Sequence, residues 1–369
     1  MKICFVVRNL YKGGVRRFIE NVLIQIDSLN YSNYEIYIIH NEKNFHLKLK
    51  NCKHYYIKTR NKFLFDYIYS LQKIIHINPD VIIYPKNIIP LPHLFLQISK
   101  MTIIHDLGYF EKNQSFYPFF DTLYMRIFMK LSCKCSSKVF AISNFTKKDI
   151  MKKFGINPNK IHVILEGVGS NFKKINLKSI KKSILINSTI LDTKTPFILY
   201  SGSIDPRKNT LRLIKAFRSI KSKIPHNLVL VGSCNTNSTY YKNIIKIINK
   251  DNRIKILGYI SEDELIKLYN LADVYVYPSL YEGFGLPILE AQSCECPVIT
   301  SNITSMPEVA GESALLVNPY NTNELKLALL KVVNDNNIKK NLIDKGRLNV
   351  NRFSWEKTAN KILDRCKSK

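Results

Sequence analysis

The chain has 369 residues, 46% of them hydrophobic, and a formal net charge of +28; that length predicts two domains rather than one, with ample apolar content for two cores. None of its eight cysteines stands in a CxxC spacing, which argues against a zinc site and for reduced thiols in a cytoplasmic protein. No apolar run reaches the ~18 residues that a transmembrane helix needs, and the N-terminal MKICFVV is too short for a signal peptide and reads as a first strand.

Ile3–Val7 reads as a buried strand, Arg8–Lys12 as a loop, and Gly13-Gly14 as a tight turn into a helix over Val15–Ile26. Phe18, Ile19, Val22, Leu23 and Ile26 share one face of that helix. GxGxxG is absent from this strand–glycine–helix unit, so a dinucleotide fingerprint is not supported. Arg16 and Arg17 follow on the first helical turn, either as a solvated face or as acceptor contacts. Glu35–His40 is the second strand. Lys43–Lys62 is basic and interleaved with His46, His54, Tyr55 and Tyr56. Asp80–Tyr84 is a strand ended by Pro85. Met101–Ile104 runs straight into His105-Asp106, placing His105 at a strand's carboxyl end, where open α/β sheets gather ligands.

Gln114–Lys138 carries Phe116, Tyr117, Phe119, Phe120, Tyr124, Phe128 and Met129 among Arg126, Lys130, Lys134 and Lys138 and reads as an amphipathic aromatic and basic helix. Core packing is the first reading of its apolar stripe; a membrane-facing edge is the second. A strand at Val139–Ile142, a basic helix at Asn144–Phe154 closed by Gly155, and a strand at Ile161–Leu165 complete the first half. Asn171–Thr195, polar and rich in Lys and Ser, reads as an interdomain linker.

The second half restarts with a strand at Pro196–Tyr200 and a turn at Ser201-Gly202-Ser203. Asp205-Pro206-Arg207-Lys208-Asn209 then leads into a helix over 209–222, a cationic, glycine-edged helix start. Strands at Leu228–Val231, Ile254–Leu257 and Asp273–Tyr277 alternate with helices, one opened by the capping box Ser261–Glu264. No D-x-D pair for a divalent ion appears. After the strand Asp273–Tyr277, Pro278-Ser279 stops it, Glu282-Gly283-Phe284-Gly285 turns, and Leu286-Pro287 opens a helix that precedes the strand Pro297–Thr300. A helix N-terminus carries unpaired N–H groups and about half a positive charge, so it suits a phosphate. Glu282 in the turn and Glu290 in the helix flank that end. They could be two surface glutamates, or an acid/base pair, which glycosidases hold roughly 5–9.5 Å apart. With a rise of ~1.5 Å per residue, holding two parts of one long ligand fits them better. Helices near Asn323–Val333 and Ile338–Asn351 follow, and Phe353-Ser354-Trp355 begins a terminal helix. Alternating strands and helices in both halves predict α/β domains with parallel sheets covered on both faces.

Glu282 and Glu290, with seven residues between them inside YPSLYEGFGLPILEA, resemble the E-x7-E signature of the family-4 retaining glycosyltransferases. The run Pro297–Val317 is also similar to that family. The resemblance implies the GT-B arrangement, two Rossmann-like parallel-sheet domains facing across a cleft. Residues 1–170 would form the acceptor-side domain, 171–195 the linker, 196–352 the nucleotide-sugar-binding domain, and 353–369 a terminal helix crossing back to the first domain. It implies that Glu282 bonds the donor sugar, that the backbone N–H groups of Phe284, Gly285 and Leu286 hold its phosphates, and that Glu290 binds the ribose. Lys208 matches the family's basic pair on the donor diphosphate, at the turn of Gly202 and Ser203. Many members have an arginine where Ser203 stands, and Arg207 is the substitute. His105, in the context TIIHDL, would be directed at the donor sugar, and Gly13 and Gly14 would lie opposite the donor phosphates. Glu166 replaces the usual asparagine of the hinge.

The implied activity is retaining transfer of a hexose from a nucleotide sugar, GDP-mannose or a UDP-sugar, to a glycan or lipid-diphosphate acceptor in surface-polysaccharide assembly, with no metal or cofactor. TIIHDL and IDPRKN lean toward mannosyl donors. Another sugar-nucleotide enzyme of the same fold, such as an epimerase, is the alternative. The charge has its own bearing: 30 lysines and arginines face 12 acids up to Asp192, against 26 and 16 beyond it. Nucleic acid, an anionic membrane face or anionic substrates each answer such an excess, and composition bias explains part of it but not the asymmetry. No nucleic-acid-binding motif is present, so the expected partner is the membrane, on its cytoplasmic face.

Overall fold

The computed structural model describes residues 1–8, 13–29, 33–43, 47, 49–111, 117–176, 183–187, 189–192, 194–249 and 251–367. The loop residues 9–12, His46 and Phe116 therefore lie outside the described residues. The chain divides into two compact units, Met1–Gly167 with Ser354–Lys369, and Val168–Phe353.

The first unit runs β1 (Lys2–Val7), α1 (Gly14–Ser28), β2 (Glu35–His40), β3 (Cys52–Tyr56), α2 (Lys62–Leu64), a π-turn at Phe65–Tyr69, α3 (Ser70–Ile77), β4 (Val81–Tyr84), α4 (Leu91–Leu94), β5 (Ser99–Ile104), α5 (Phe119–Cys135), β6 (Lys138–Ala141), α6 (Asn144–Phe154) and β7 (Ile161–Val163). Among the described residues its sheet has the order β3-β2-β1-β4-β5-β6-β7, and the strands are parallel throughout. Central strands of such a sheet are covered on both faces and read as unbroken apolar runs. Ile3, Cys4, Phe5 and Val7 in β1 and Ile82 and Ile83 in β4 are accordingly buried. The edge strand β3 has only Cys52 buried, which is why it is hidden in a stretch that reads as merely basic. The helical turns from Lys62 to Ile77 went unread for a related reason: they bury few residues, Phe65, Asp66, Ser70, Ile74 and Ile77.

The α5 helix departs most from expectation. It starts at Phe119 behind Pro118 and buries only Met129, Ser132 and Cys133. Phe119 and Phe120 are 73% and 81% exposed, and Leu123, Tyr124, Ile127 and Leu131 are also exposed. Core packing, the first reading of this stripe, therefore holds for only part of it: Met129 and Cys133 sit in the core with Met125 and Phe128 packed against them, while Phe119, Phe120 and Tyr124 face outward.

The second unit opens with an antiparallel ribbon, β8 (Ser183–Ile186) with β9 (Thr189–Asp192), inside the segment read as a linker. Asn187 takes a left-handed φ of 44°, and its amide donates to the carbonyls of Leu257 and Tyr259, both at 2.8 Å. The Lys/Ser content of the segment masks this short alternation. Then come β10 (Phe197–Ser201), α7 (Thr210–Arg218), β11 (Asn227–Val231), α8 (Thr239–Ile248), β12 (Ile254–Gly258), α9 (Glu262–Leu271), β13 (Val274–Tyr277), α10 (Leu286–Ser293), β14 (Val298–Ser301), α11 (Met306–Ala310), β15 (Ala314–Val317), α12 (Thr322–Asn334) and α13 (Asn336–Val350). The sheet order is β12-β11-β10-β13-β14-β15, again all parallel. Asp273, just ahead of β13, accepts from His226 at 2.7 Å and from Lys339 of α13 at 2.6 Å, which ties the helical layer to the sheet.

The terminal α14 (Trp355–Lys367) belongs to the first unit. It packs on α1, where Trp355 meets Phe18 edge-on with centroids 5.7 Å apart, and the Thr358 hydroxyl donates to the Leu165 carbonyl.

Candidate functional site

In each sheet the strand order reverses beside the first strand, at β1/β4 and at β10/β13. Ligands of open α/β sheets bind outside the carboxyl ends of the strands at such switch points. In the second unit both glycine-edged turns of the sequence arrive there.

The first turn leaves β10 through Gly202, at φ 152°. Its amide donates to the Val231 carbonyl at 2.9 Å, and the amide of Gly232 donates to Gly258 at 2.8 Å. A Cβ on Gly232 would overlap the carbonyl oxygen of Gly202. Gly232 thus lets the ends of β10 and β11 close up at nearly backbone contact, which only a residue without a side chain allows. Asp205 then caps a 3-10 turn over Pro206–Lys208, accepting from the Lys208 amide at 3.0 Å. The Ser203 hydroxyl is tied to the same Asp205. Asn209, at φ 61°, donates from its amide to the carbonyls of Pro278 at 3.0 Å and Pro319 at 2.8 Å. That bond fastens the basic turn to the end of β13.

The second turn brings Glu282 onto this basic turn. Arg207 donates to Glu282 Oε2 at 2.9 Å and to the Tyr281 carbonyl at 2.8 Å. Lys208 Nζ lies 2.7 Å from Glu282 Oε1 and donates to the Tyr277 hydroxyl at 2.7 Å. Glu282 is 8% exposed. Burial alone would raise its carboxyl, but Arg207 and Lys208 more than offset that and hold it down at about 2. Burial lowers the Lys208 amine from its ordinary value, with Glu282 opposing and Arg207 reinforcing the shift. The Ser305 hydroxyl bridges the turn from beneath, 2.6 Å from the Phe284 carbonyl and 2.9 Å from that of Glu282. Gly285, at φ 122°, is the N-cap of α10, and Leu286 and Pro287 are its first residues.

Glu290 sits in α10 and is 3% exposed. Tyr269 of α9 donates to its Oε2 at 3.2 Å, and the Tyr269 and Tyr275 hydroxyls meet the Ser201 hydroxyl at 2.8 and 3.0 Å. A buried hydroxyl chain therefore links Glu290 to the end of β10. The two surface-glutamate reading fails, because both carboxylates are buried in polar networks. The site presents fixed cations, the N–H groups of α10 and two pinned carboxylates. Cations and helix N–H groups of this kind attract an anion, and the carboxylates can accept from hydroxyl groups.

In the first unit His105 is 5% exposed at the end of β5. Its Nε2 donates to the Pro85 carbonyl at 2.9 Å, since a carbonyl can only accept. Its Nδ1 faces Glu166 Oε1 at 3.8 Å, and its ring meets Phe18 edge-on at 5.0 Å. Burial raises the Glu166 carboxyl, and His105 opposes that. Gly13, at φ 134°, is the N-cap of α1, and Gly14 is its first residue. A Cβ on either would meet nothing within 4 Å. Arg16 pairs along the helix with Glu20 at 2.7 Å, and the Arg17 amide donates to Gly13 at 3.2 Å.

Sequence reasoning missed Gly232, Tyr269 and Ser305. Gly232 had a signal, since Val231-Gly232-Ser233 repeats the strand–glycine pattern of Ser201-Gly202-Ser203. Ser305 lies in the SNITSMPE run, whose chemistry shows only once the turn is seen above it. Among the described residues no group of three or more His, Cys, Asp or Glu is gathered to hold a metal.

Comparison with known proteins gives the family. The family model for glycosyl transferases group 1 matches residues 181–364, and that for glycosyltransferase family 4 matches residues 12–171. O-antigen chain mannosyltransferase B of Escherichia coli is 27% identical over 269 residues, which is 72% of this chain and 70% of that protein. The serotype-specific mannosyltransferase WbdA of Escherichia coli is 29% identical over 230 residues, 61% of this chain but 28% of WbdA. Among solved structures, sucrose-phosphate synthase of Thermosynechococcus elongatus aligns with a TM-score of 0.80 at 18% identity, covering 98% of this chain and 97% of that one. Anabaena HepE in complex with UDP aligns with a TM-score of 0.76 at 18% identity, covering 99% of both chains. At these identities the structures establish the fold, two Rossmann-like parallel-sheet domains of the GT-B class.

Proposed function

Since this chain belongs to the family-4 glycosyltransferases of the GT-B class, we propose that it moves a hexose, with mannose first among the candidates, from a nucleotide sugar to a hydroxyl of a glycan or lipid-diphosphate-linked acceptor, with retention. The mannose assignment draws on the names of the Escherichia coli relatives, and so does the place in surface-polysaccharide synthesis. One observation carries the reading: Arg207, Lys208 and Glu282 meet at the β10/β13 switch point beside the N-terminus of α10.

In this reading the donor diphosphate lies on Arg207, Lys208 and the N–H groups of Phe284, Gly285 and Leu286, with Gly202 and Ser203 beneath. These fixed dipoles and cations stabilise the charge that develops on the departing diphosphate. Glu290 takes the ribose hydroxyls, aimed by Tyr269. Glu282 takes hydroxyls of the donor sugar. A carboxylate held at about 2 is too weak a base to deprotonate an alcohol at neutral pH; in this reading the departing phosphate takes the acceptor proton, on the same face. His105, paired with Glu166, is assigned to the donor sugar, Gly13 and Gly14 to the donor phosphates, and Arg16 and Arg17 to the acceptor.

Removing Glu290 leaves the ribose without a charged hydrogen-bond partner, worth about 1.5–3 kcal/mol. Calorimetry on Glu290→Ala should therefore show GDP or UDP bound about 10- to 100-fold more weakly. Unchanged affinity for both nucleotides would remove Glu290 from the site.

We further assign the enzyme to the anionic cytoplasmic membrane surface. No described helix is long and apolar enough to cross a membrane. The outward face of α5 instead offers Phe119 and Phe120 beside Arg126 and Lys130, on the more basic part of the chain. Each basic residue near such a surface contributes about 1 kcal/mol. The protein should sediment with anionic liposomes but not with neutral ones, and be released at 1 M salt, where the Debye length is ~3 Å. Equal recovery in the supernatant with both liposome types would leave a soluble acceptor as the better assignment.

A further inference from the structure

Strand pairing between β13 and β14 runs as far as Tyr277 and Thr300. Past that point hydroxyl side chains take over the hold on the chain that leads into α10. The Thr300 hydroxyl donates to the Tyr277 carbonyl at 2.8 Å, and the Ser301 hydroxyl to the Ser279 carbonyl at 2.7 Å. Thr304 and Ser305 extend this row onto Glu282. Its amide donates to the Thr304 hydroxyl at 3.4 Å, and its carbonyl accepts from Ser305, whose hydroxyl is shared with the Phe284 carbonyl. Two departures from local preference meet in this clip. Thr304 holds φ 59°, in the left-handed region where a β-branched residue is an outlier, and strain of that kind gathers at functional sites. Ser305 is the N-cap of α11, where a serine ordinarily accepts from the N–H groups of its own helix. Here it makes no cap bond, and its hydroxyl serves the Glu282 turn instead. The consequence is directional. A trans peptide holds C=O and N–H on opposite sides, so drawing the Phe284 carbonyl to Ser305 turns the Gly285 N–H away from it.

We propose that Thr304 and Ser305 are positioning residues for the donor: Ser305 aims the Gly285 N–H at the diphosphate, and Thr304 fixes the main chain from which the Glu282 carboxylate reaches the sugar. The inference rests on the glycosyltransferase reading and adds to it how the turn is set before the donor arrives. Arg207 and Lys208 fix the carboxylate; the two hydroxyls fix the backbone that carries it.

Three variants of the full chain test it. Thr304→Gly removes the hydroxyl together with the strain. Turnover should fall about 10- to 100-fold, the scale on which a misplaced reacting group is felt, while GDP or UDP affinity stays as in the parent. The melting temperature should hold or rise by about 2–4 °C, because glycine accepts the left-handed backbone. Thr304→Ser keeps the hydroxyl and should recover most of the turnover. Ser305→Ala should weaken GDP or UDP about tenfold by calorimetry, as the N–H groups lose their aim. Hydrogen exchange over the turn from Glu282 to Leu286 needs no catalysis; it should be faster in Thr304→Gly and Ser305→Ala and as in the parent in Thr304→Ser. Unchanged exchange in both faster-expected variants would overturn the clip, whatever happens to activity. A melting temperature that falls in step with turnover in Thr304→Gly would overturn it too, since Thr304 would then act only through stability. Turnover that Thr304→Ser fails to recover would do the same. Faster exchange with turnover and nucleotide affinity both intact would instead leave the clip standing and overturn the assignment of this turn to the donor.

Discussion

Glu282→Gln should lower turnover about 100- to 1,000-fold, the scale on which a group acting on the transition state is lost, while affinity for the nucleoside diphosphate holds or rises. The opposite signs follow from the charges. Glu282 lies between Arg207 at 2.9 Å and Lys208 at 2.7 Å and neutralises part of the field that a diphosphate would meet. Taking its charge away leaves the sugar without its partner but exposes the phosphates to two cations. The substitution also strips Lys208 of the neighbour that opposes its burial-lowered amine. Nucleotide binding to the variant should therefore take up a proton and weaken as pH rises, more steeply than in the parent. Breaking a buried ion pair costs about 3–5 kcal/mol, so a lower melting temperature accompanies the loss, recovered by added nucleotide. Steady-state kinetics and calorimetry at two pH values check all of this. Turnover within threefold of the parent would exclude Glu282 from the sugar, and a collapse of nucleotide affinity would place it on the phosphates instead.

Gly232→Ala is the second large effect, and it acts through the backbone. Gly232 holds φ 138°, in the region that residues with a side chain avoid at a cost of about 1–3 kcal/mol. Its new Cβ would also overlap the Gly202 carbonyl, an overpacking worth another 1–3 kcal/mol or so. Neither neighbour is a flexible side chain, so the strain must move β10 against β11 and carry the Gly202 turn with it. Stability should fall by about 2–6 kcal/mol, and the folded fraction should lose nucleotide affinity. Denaturant unfolding with an unchanged midpoint would show that the close approach of these strands is dispensable.

The fold was legible wherever burial made a strand apolar on both faces. Ile3–Val7, Glu35–His40, Leu228–Val231 and Asp273–Tyr277 can all be read from their residues because parallel central strands admit little else. It was not legible at edges and connections. Cys52–Tyr56 buries one residue, and Ser183–Asp192 is a short ribbon fastened by the Asn187 amide and the buried Ile186 and Leu191. Neither has the periodicity that marks a core element. The α5 stripe misled for a different reason. Periodicity says that one face is apolar but not how much of it is covered, and here the core takes Met129 and Phe128 but leaves Phe119 and Phe120 exposed. At the site, the glycine turns, the basic pair and both glutamates are visible in sequence because each is local. Their mutual contacts are not, since Arg207 and Glu282 are 75 positions apart. The support beneath them, Tyr269, Ser305 and Gly232, is made of ordinary residues whose meaning is only their place.

Transfer itself is measured most directly by supplying GDP-mannose, and UDP-hexoses in parallel, with and without a decyl diphosphate-linked sugar, and following nucleoside diphosphate release together with the anomeric signal of the product. Glycosyl transfer with retention predicts diphosphate release that depends on the acceptor, and a product whose new linkage keeps the anomeric configuration of the donor. Consumption of the nucleotide sugar to an altered sugar at the same rate with no acceptor present would contradict it, and would make the chain an enzyme that reworks the donor rather than one that delivers it.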